Sequence, residues 1–193
     1  LLRNNGAPGK HHQALPDNEV DRVKRMVPFI PDKRQRLYMG LLVYTGMRKE
    51  EVLGLRWENV YLEKGYGEVC RVVIYPDKSK GIVRETTKTA YSTRTFLIPT
   101  PLKRLLEACN KKEGFVVHGE TEEVPLSYST YQRTYRKAFE FLGLSGKYTN
   151  HDWRSTFGTQ LKESGMSSAM VADLMGHADT RMVETVYARS RHE

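Results

Sequence analysis

Apolar residues along this chain fall into two periods. In PDNEVDRVKRMV (16–27), Val20, Val23 and Val27 recur at steps of three and four, the spacing of one helix face. Pro16 and Asp17 supply the start signal. In KRQRLYMGLLVYTG (33–46), the stripe Leu37, Leu41, Tyr44 predicts a second helix, ended by Gly46 just past its last turn. RKEEVLGLRW (48–57) restarts a helix almost at once. The pattern then changes. Segments 67–76, 81–89 and 94–99 are rich in β-branched residues and bounded by Gly, Pro and Ser, which predicts three short strands in one antiparallel sheet. Helical signals return with Pro101 in PLKRLLEACNKK, and further helices are expected around 127–142, 151–165, 168–175 and 180–189. Residues 1–15 are polar, basic and rich in Gly, Pro and Asn, as in a linker or the remnant of an arm. The expected fold is mainly α with a small three-stranded antiparallel sheet, carried by one domain over 16–193.

Composition adds the character of the partner. The 193 residues include 31 Lys and Arg against 23 acids, a net charge of +8. Such a balance points to an acidic partner, most often nucleic acid, with a basic surface kept for solubility as the plainer alternative. No apolar run reaches the length of a membrane span, so no membrane role is expected. The two cysteines, Cys70 and Cys109, lie far apart without metal-ligand spacing, which fits a reducing cytoplasm. The first residue is Leu rather than Met, and the chain is read as a fragment of a longer protein.

Three stretches place charge where local structure does not welcome it. Arg48 in YTGMRKEEVLGLRW starts a helix, where a cation is unfavourable unless an anion is shared with the free backbone N–H groups. A phosphate would satisfy both. Glu51, three residues on, can hold the guanidinium; the pair could equally be a solvated surface contact. In TNHDWRSTFGTQL, Thr149 and Asn150 offer N-caps. Trp153, Phe157 and Leu161 form an apolar stripe, while His151 and Arg154 share another face near the helix start, bordered by Ser155 and Gly158. His151 alone would fit equally as a capping or core histidine. In the closing LMGHADTRMVETVYARSRHE, Met170, Val171, Leu174 and Met175 are expected to point inward. Gly176 ends that helix and His177 follows. Met182, Val183, Val186 and Tyr187 make a last apolar stripe, so by periodicity Tyr187 is simply a packing residue.

The ordered set TGMRKEEVLGLRW, TKTAYSTRTFLIP, HDWRSTFGTQL and LMGHADTRMVETVY closely resembles the catalytic domain of the tyrosine recombinase (phage integrase) family, in the style of phage and conjugative-transposon integrases. The likeness runs over residues 17–189. It implies the DNA breaking–rejoining fold and places the two family arginines on Arg48 and Arg154. The hairpin lysine falls on Lys88, the first histidine on His151, the His/Trp position on His177, the nucleophile on Tyr187 and a supporting acid on Glu51. Two departures stand out: Trp153 replaces the usual Leu, and Ser155 replaces a common accessory His.

The implied chemistry is phosphoryl transfer on DNA. Tyr187 would form a 3′-phosphotyrosyl link, His151 would take or orient the phenolic proton, and Lys88 would protonate the leaving 5′-oxygen. Arg48 and Arg154 would clamp the non-bridging oxygens, with His177 adding a hydrogen bond. No cofactor is expected: neither a Walker-type Gly loop nor an acidic metal cluster is present in the sequence. Lys80, Arg84, Arg94, Arg133 and Lys137, with Lys78 and Arg136, are candidates for DNA-backbone contacts. The resemblance implies double-stranded DNA at specific recombination sites as partner, and a tetrameric synapse on DNA from a fragment that is monomeric by itself. It also admits an accessory DNA-bending or excision factor, and it implies work at the nucleoid of a bacterial cytoplasm. The N-terminal DNA-clamping domain of the family is not in this chain, and Tyr187 is not expected to stand in attacking position without DNA. A type IB topoisomerase-like enzyme and a non-catalytic DNA-binding module are the alternative readings.

Overall fold

Helix α2 (Lys33–Thr45) is the centre of the structure, and its sequence explains why. Every residue from Leu37 to Val43 is buried, as suits a helix with neighbours on several sides. The stripe expected from the sequence is only part of this surface, and Tyr44 is half-buried at its edge. The computed structural model describes residues 14–85 and 94–176. Asp32 caps α2 by accepting from the Gln35 N–H at 2.9 Å. Gly46 ends it in the left-handed region, with φ +61°, and a Cβ there would lie 2.4 Å from the Phe157 ring. Both conformation and space therefore demand glycine.

Helix α1 (Asp17–Met26) buries Val20 and Val23, and a 3-10 turn at Val27–Phe29 continues it. Helix α3 (Lys49–Gly54) follows α2 after three residues. Strands β1 (Val60–Tyr61), β2 (Tyr66–Val69), β3 (Arg71–Ile74), β4 (Ile82–Glu85) and β5 (Arg94–Leu97) come next. Helices α4 (Thr100–Glu107), α5 (Tyr128–Phe141), α6 (Asn150–Glu163) and α7 (Ser168–Met175) complete the described part. α4, α5 and α6 pack around α2. The fold is mainly helical with small antiparallel sheets, as expected. The predicted helix around 180–189 lies outside the described residues.

The strands are arranged differently from the expectation. One sheet has the order β1-β2-β5, with Gly67 opposite Phe96 and Val69 opposite Arg94. A separate hairpin pairs β3 with β4. The expected strand 67–76 is thus cut at Cys70 into two strands of different sheets. Past the cut, β3 lies directly on α3: a Cβ on Gly54 would come within 2.5 Å of the Arg71 carbonyl oxygen. Alternation could not reveal the cut, because Gly67, Val69 and Val73 stay on buried positions through it.

Two apolar clusters hold the elements. The main one runs from Leu15 to Trp153. Leu15, placed in the arm by composition, is buried there, and its N–H donates to Thr156 Oγ1 at 2.9 Å. A small second cluster joins Val171, Ala172 and Met175 of α7 to Phe157, Leu161 and Met166. Trp153 therefore belongs to the main core, and Phe157 and Leu161 belong to the seat of α7. Met170, expected inward, is 55% exposed; Leu174 is half-buried. Among the described residues no helix is long and apolar enough to cross a membrane.

Candidate active site

Two chain turns bring the charged motifs together. The α2–α3 turn carries Arg48, and the start of α6 carries His151 and Arg154. With Lys49, Glu50, Tyr135, Thr149 and Asn150 they line a cleft of about 390 Å³. The α6 end is firmly built. Thr149 caps it by accepting from the Asp152 N–H, while the Asp152 carboxylate accepts from the Thr149 N–H at 2.7 Å. Asn150 is fixed from beneath: Tyr38 donates to its Oδ1 at 2.9 Å, and its Nδ2 donates to the Tyr131 hydroxyl at 3.0 Å. Tyr131 stacks on Tyr75 at 5.9 Å between centroids, and Tyr135 packs on Phe139 at 4.4 Å. An aromatic layer thus supports one wall.

Arg154 is 4% exposed and is held by two backbone carbonyls. It donates from Nη1 to the Gly46 carbonyl at 2.8 Å and from Nη2 to the Met175 carbonyl. Those carbonyls end α2 and α7, where the helix dipole favours a cation. Burial, with Arg48 and Arg94 close by, lowers the pKa of Arg154 to about 9 against the pull of Glu51, so it remains charged at neutral pH. Arg48 is more open, its side chain 44% exposed. It donates to Glu51 Oε1 at 2.9 Å and, weakly, to the Gly176 carbonyl at 3.4 Å. The Glu51 carboxylate also accepts the Arg48 backbone N–H at 2.8 Å, answering a free donor at the start of α3.

Glu51 is the counter-charge of the site. Burial works to raise its pKa, but Arg94, Arg154 and Arg48 together hold it below the ordinary carboxylate value. Among the described residues, Arg94, Arg154 and Arg48 all act on the Glu51 carboxylate, which leaves more positive charge than Glu51 balances in a part-buried cluster. Such an excess is stable only beside an anion or carbonyl dipoles. The carbonyls of α7 supply part of this, and the cleft beside Arg48 is where an anion fits.

Arg94 corrects the sequence reading. Grouped with DNA-facing cations, it is instead 8% exposed at the start of β5. It donates from Nη2 to Glu51 Oε2 at 2.7 Å and from Nη1 to the Leu174 carbonyl at 2.7 Å. A signal for this was present: Arg94, Phe96 and Ile98 alternate with Thr95 and Leu97, which puts Arg94 on the inner face. Tyr135 lines the cleft without having been singled out, and Thr149, expected as an N-cap, lines it too. Lys80 and Arg84, near and on the β3–β4 hairpin, are exposed, as are Arg133, Arg136 and Lys137 on α5 and Lys78. Ser155 is 2% exposed, at the position bordering the cluster. Gly158 admits Met175 of α7: a Cβ there would lie 2.8 Å from its sulfur. Lys88, His177 and Tyr187 lie outside the described residues. Among the described residues no group of three or more His, Cys, Asp or Glu side chains is placed to hold a metal.

Comparisons with known proteins bear on the family and the fold. The phage integrase family model matches residues 17–193. A tyrosine recombinase XerA of Pyrococcus furiosus is 28% identical over 195 residues, covering 97% of this chain and 61% of that protein. A tyrosine recombinase XerC-like protein of Caldanaerobacter subterraneus subsp. tengcongensis is 24% identical, covering 91% of this chain. The chain spans only about half of that relative's length, at 50%. Among solved structures, the Tn1549 transposon integrase in complex with a circular intermediate DNA superposes with a TM-score of 0.75 at 17% identity, over 99% of this chain and 66% of that one. The XerA recombinase crystal structure gives 0.69 at 18% identity, over 96% and 61%. At these identities the structural likeness establishes the fold.

Proposed function

The chain belongs to the phage integrase family, and from that premise we propose that it cuts and rejoins DNA strands at specific recombination sites through a covalent 3′-phosphotyrosyl intermediate. One observation carries the reading most. Arg48 and Arg154 converge on one cleft beside His151, with more positive charge than Glu51 balances. A phosphodiester brings the missing negative charge and two non-bridging oxygens. The guanidinium of Arg48 presents several donors in a plane, the geometry that suits such oxygens.

In this account the Tyr187 oxygen attacks the scissile phosphorus as its proton passes toward His151, whose imidazole suits the task near neutral pH. The bond from phosphorus to the 5′-oxygen breaks, and Lys88 gives that oxygen its proton. Arg48 and Arg154 stabilise the charge gathering on the phosphoryl oxygens, with His177 as a further donor. The phosphotyrosyl bond keeps the energy of the broken ester, so attack by another 5′-hydroxyl reseals the strand and frees Tyr187. Every step has a protein group to perform it.

Residues 16–193, with Leu15 joined to their core, act in this account as the catalytic unit, and the residues before Leu15 as linker. Exposed Lys80, Arg84, Arg133 and Lys137 are candidates for backbone phosphates, and binding through them would weaken with salt. The work takes place on DNA at the bacterial nucleoid, four copies meeting on paired sites, while the chain alone is a monomer.

The test uses a library of short duplexes of randomised sequence, each carrying a nick at a varied position, incubated with the chain and run under denaturing conditions. The nick lets the leaving strand diffuse away, so the covalent complex accumulates. A denaturation-resistant protein–DNA band that disappears in Tyr187→Phe is expected. Salt-sensitive binding without such a band would show a non-catalytic DNA-binding module instead.

A further inference from the structure

Three arginines from three elements converge on the C-terminal end of α7. Arg94 of β5 donates to the Leu174 carbonyl, Arg154 of α6 to the Met175 carbonyl and Arg48, ahead of α3, to the Gly176 carbonyl. Arg48 and Arg154 line the cleft, and Arg94 does not. Its side chain is 7% exposed, and its two terminal nitrogens are both taken by protein acceptors. Unlike Arg154, whose terminal nitrogens also meet carbonyls, it has no part in the cleft wall.

We propose that Arg94 is a positioning residue for strand cleavage, acting through Glu51 on Arg48 and through the Leu174 carbonyl on the end of α7. The inference rests on the reading of the cleft as a phosphodiester site.

The connection to Arg48 is one carboxylate long. Glu51 Oε2 takes Arg94 at 2.7 Å while Oε1 takes Arg48 at 2.9 Å. With Arg94 in place, Glu51 is held from the interior side, and its other oxygen fixes where Arg48 presents its free donors. Without Arg94, the buried carboxylate depends on Arg48 and Arg154 alone, drawing on the groups the phosphate needs.

Among the described residues, α7 rests on the small second cluster and takes a hydrogen bond from Lys162 Nζ to Ser168 Oγ at its start, and the three arginines hold its last carbonyls at the other end. Gly176 shows how tight the fit is. It adopts φ +62°, and a Cβ would stand 2.5 Å from Arg94 Cδ. The last described residue, Gly176, thus lies over the stem of Arg94, next in sequence to His177. Two acceptors in different directions also explain the residue type. A planar fork reaches both the carboxylate and the carbonyl, whereas a single ammonium is a point donor.

The test compares wild type, Arg94→Met, Arg94→Lys and Gly176→Ala on the nicked duplexes. Duplex affinity is read by fluorescence anisotropy, the single-turnover rate of adduct formation at saturating DNA by denaturing gel, and folding by circular dichroism and thermal melting. Arg94→Met is expected to keep duplex affinity within about threefold, the scale of an uncontacted site, and to lose on the order of a hundredfold in rate, the cost of a misplacement near 1 Å. Arg94→Lys should recover part of the rate at unchanged affinity. Gly176→Ala, which keeps the Arg94 charge but displaces its stem, should show the same split between affinity and rate. An unchanged rate in folded Arg94→Met overturns the proposal. So does lost affinity with an unchanged rate once bound, which would mean direct DNA contact. If Arg94→Met fails to fold, Gly176→Ala decides, and an unchanged rate there overturns it. Wild type that binds duplex without forming an adduct overturns the functional reading and this inference with it. A wild-type adduct beside an unaffected Arg94→Met rate removes the positioning role alone.

Discussion

Among the described residues, Glu51 is the carboxylate that joins Arg48 to Arg94, and replacing it by Gln keeps its shape. In the native protein that carboxylate takes three donors: the Arg48 N–H at 2.8 Å, Arg48 Nη1 at 2.9 Å and Arg94 Nη2 at 2.7 Å. Gln can accept through one oxygen, but its amide presents two protons to a guanidinium. The Arg48 part counts for little, because that side chain is 44% exposed and water takes over its charge. The Arg94 part decides the size. Both partners are buried, at 7% and 6% side-chain exposure, and breaking such a pair from one side costs about 3–5 kcal/mol. Urea unfolding of Glu51→Gln should show a loss of that order with an unchanged denaturant slope. The double variant Glu51→Gln with Arg94→Met should lose less than the sum of the single losses, because it leaves neither charge stranded. A single-variant loss below about 1 kcal/mol, or strict additivity, would refute the idea that this ion pair organises the cluster.

Acid should act through the same group. The folded pKa of Glu51 is depressed, so its contribution is present above the ordinary carboxylate pKa and is lost as pH falls through the lowered folded value. Urea titrations at descending acid pH should show a steeper loss for wild type than for Glu51→Gln; parallel curves would contradict this. Arg48→Lys should reduce adduct formation about 10²–10³-fold by removing a planar donor pair. Melting should show stability within about 1 kcal/mol of wild type, since the side chain is half open. Gly46→Ala should destabilise by about 2–4 kcal/mol, from left-handed strain and overlap with the Phe157 ring, measured by the same urea unfolding.

The helices were legible because their signals are local. Gly46 after α2, Thr149 before α6 and the valines of α1 each act within one or two turns. The charged motifs were legible in order, and the fold carries Arg48, Glu51, His151 and Arg154 to one place. The strand cut at Cys70 was not, since side-chain alternation runs through it and only the fit of Gly54 on Arg71 explains the turn-off. Arg94 was misread for a related reason. An arginine in a basic chain is assigned to solvent by default, and its partners Glu51 and Leu174 are 43 and 80 residues away. Leu15 likewise joins the core through Thr156, 141 residues on. Composition describes the neighbourhood of a residue along the chain, and these residues find their neighbours elsewhere. Met170 shows the opposite error: a short helix with a small seat buries Val171 and Met175 and leaves the next apolar residue in water.

The central claim is that the phosphate held by Arg48 and Arg154 ends up on one tyrosine. The direct measurement digests the denatured covalent complex with trypsin and nuclease and maps the modified peptide by tandem mass spectrometry. The account predicts a residual nucleotide joined through its 3′-phosphate to Tyr187, in the peptide MVETVYAR (182–189). A nucleotide on any other residue, or a 5′-phosphate linkage, would contradict it.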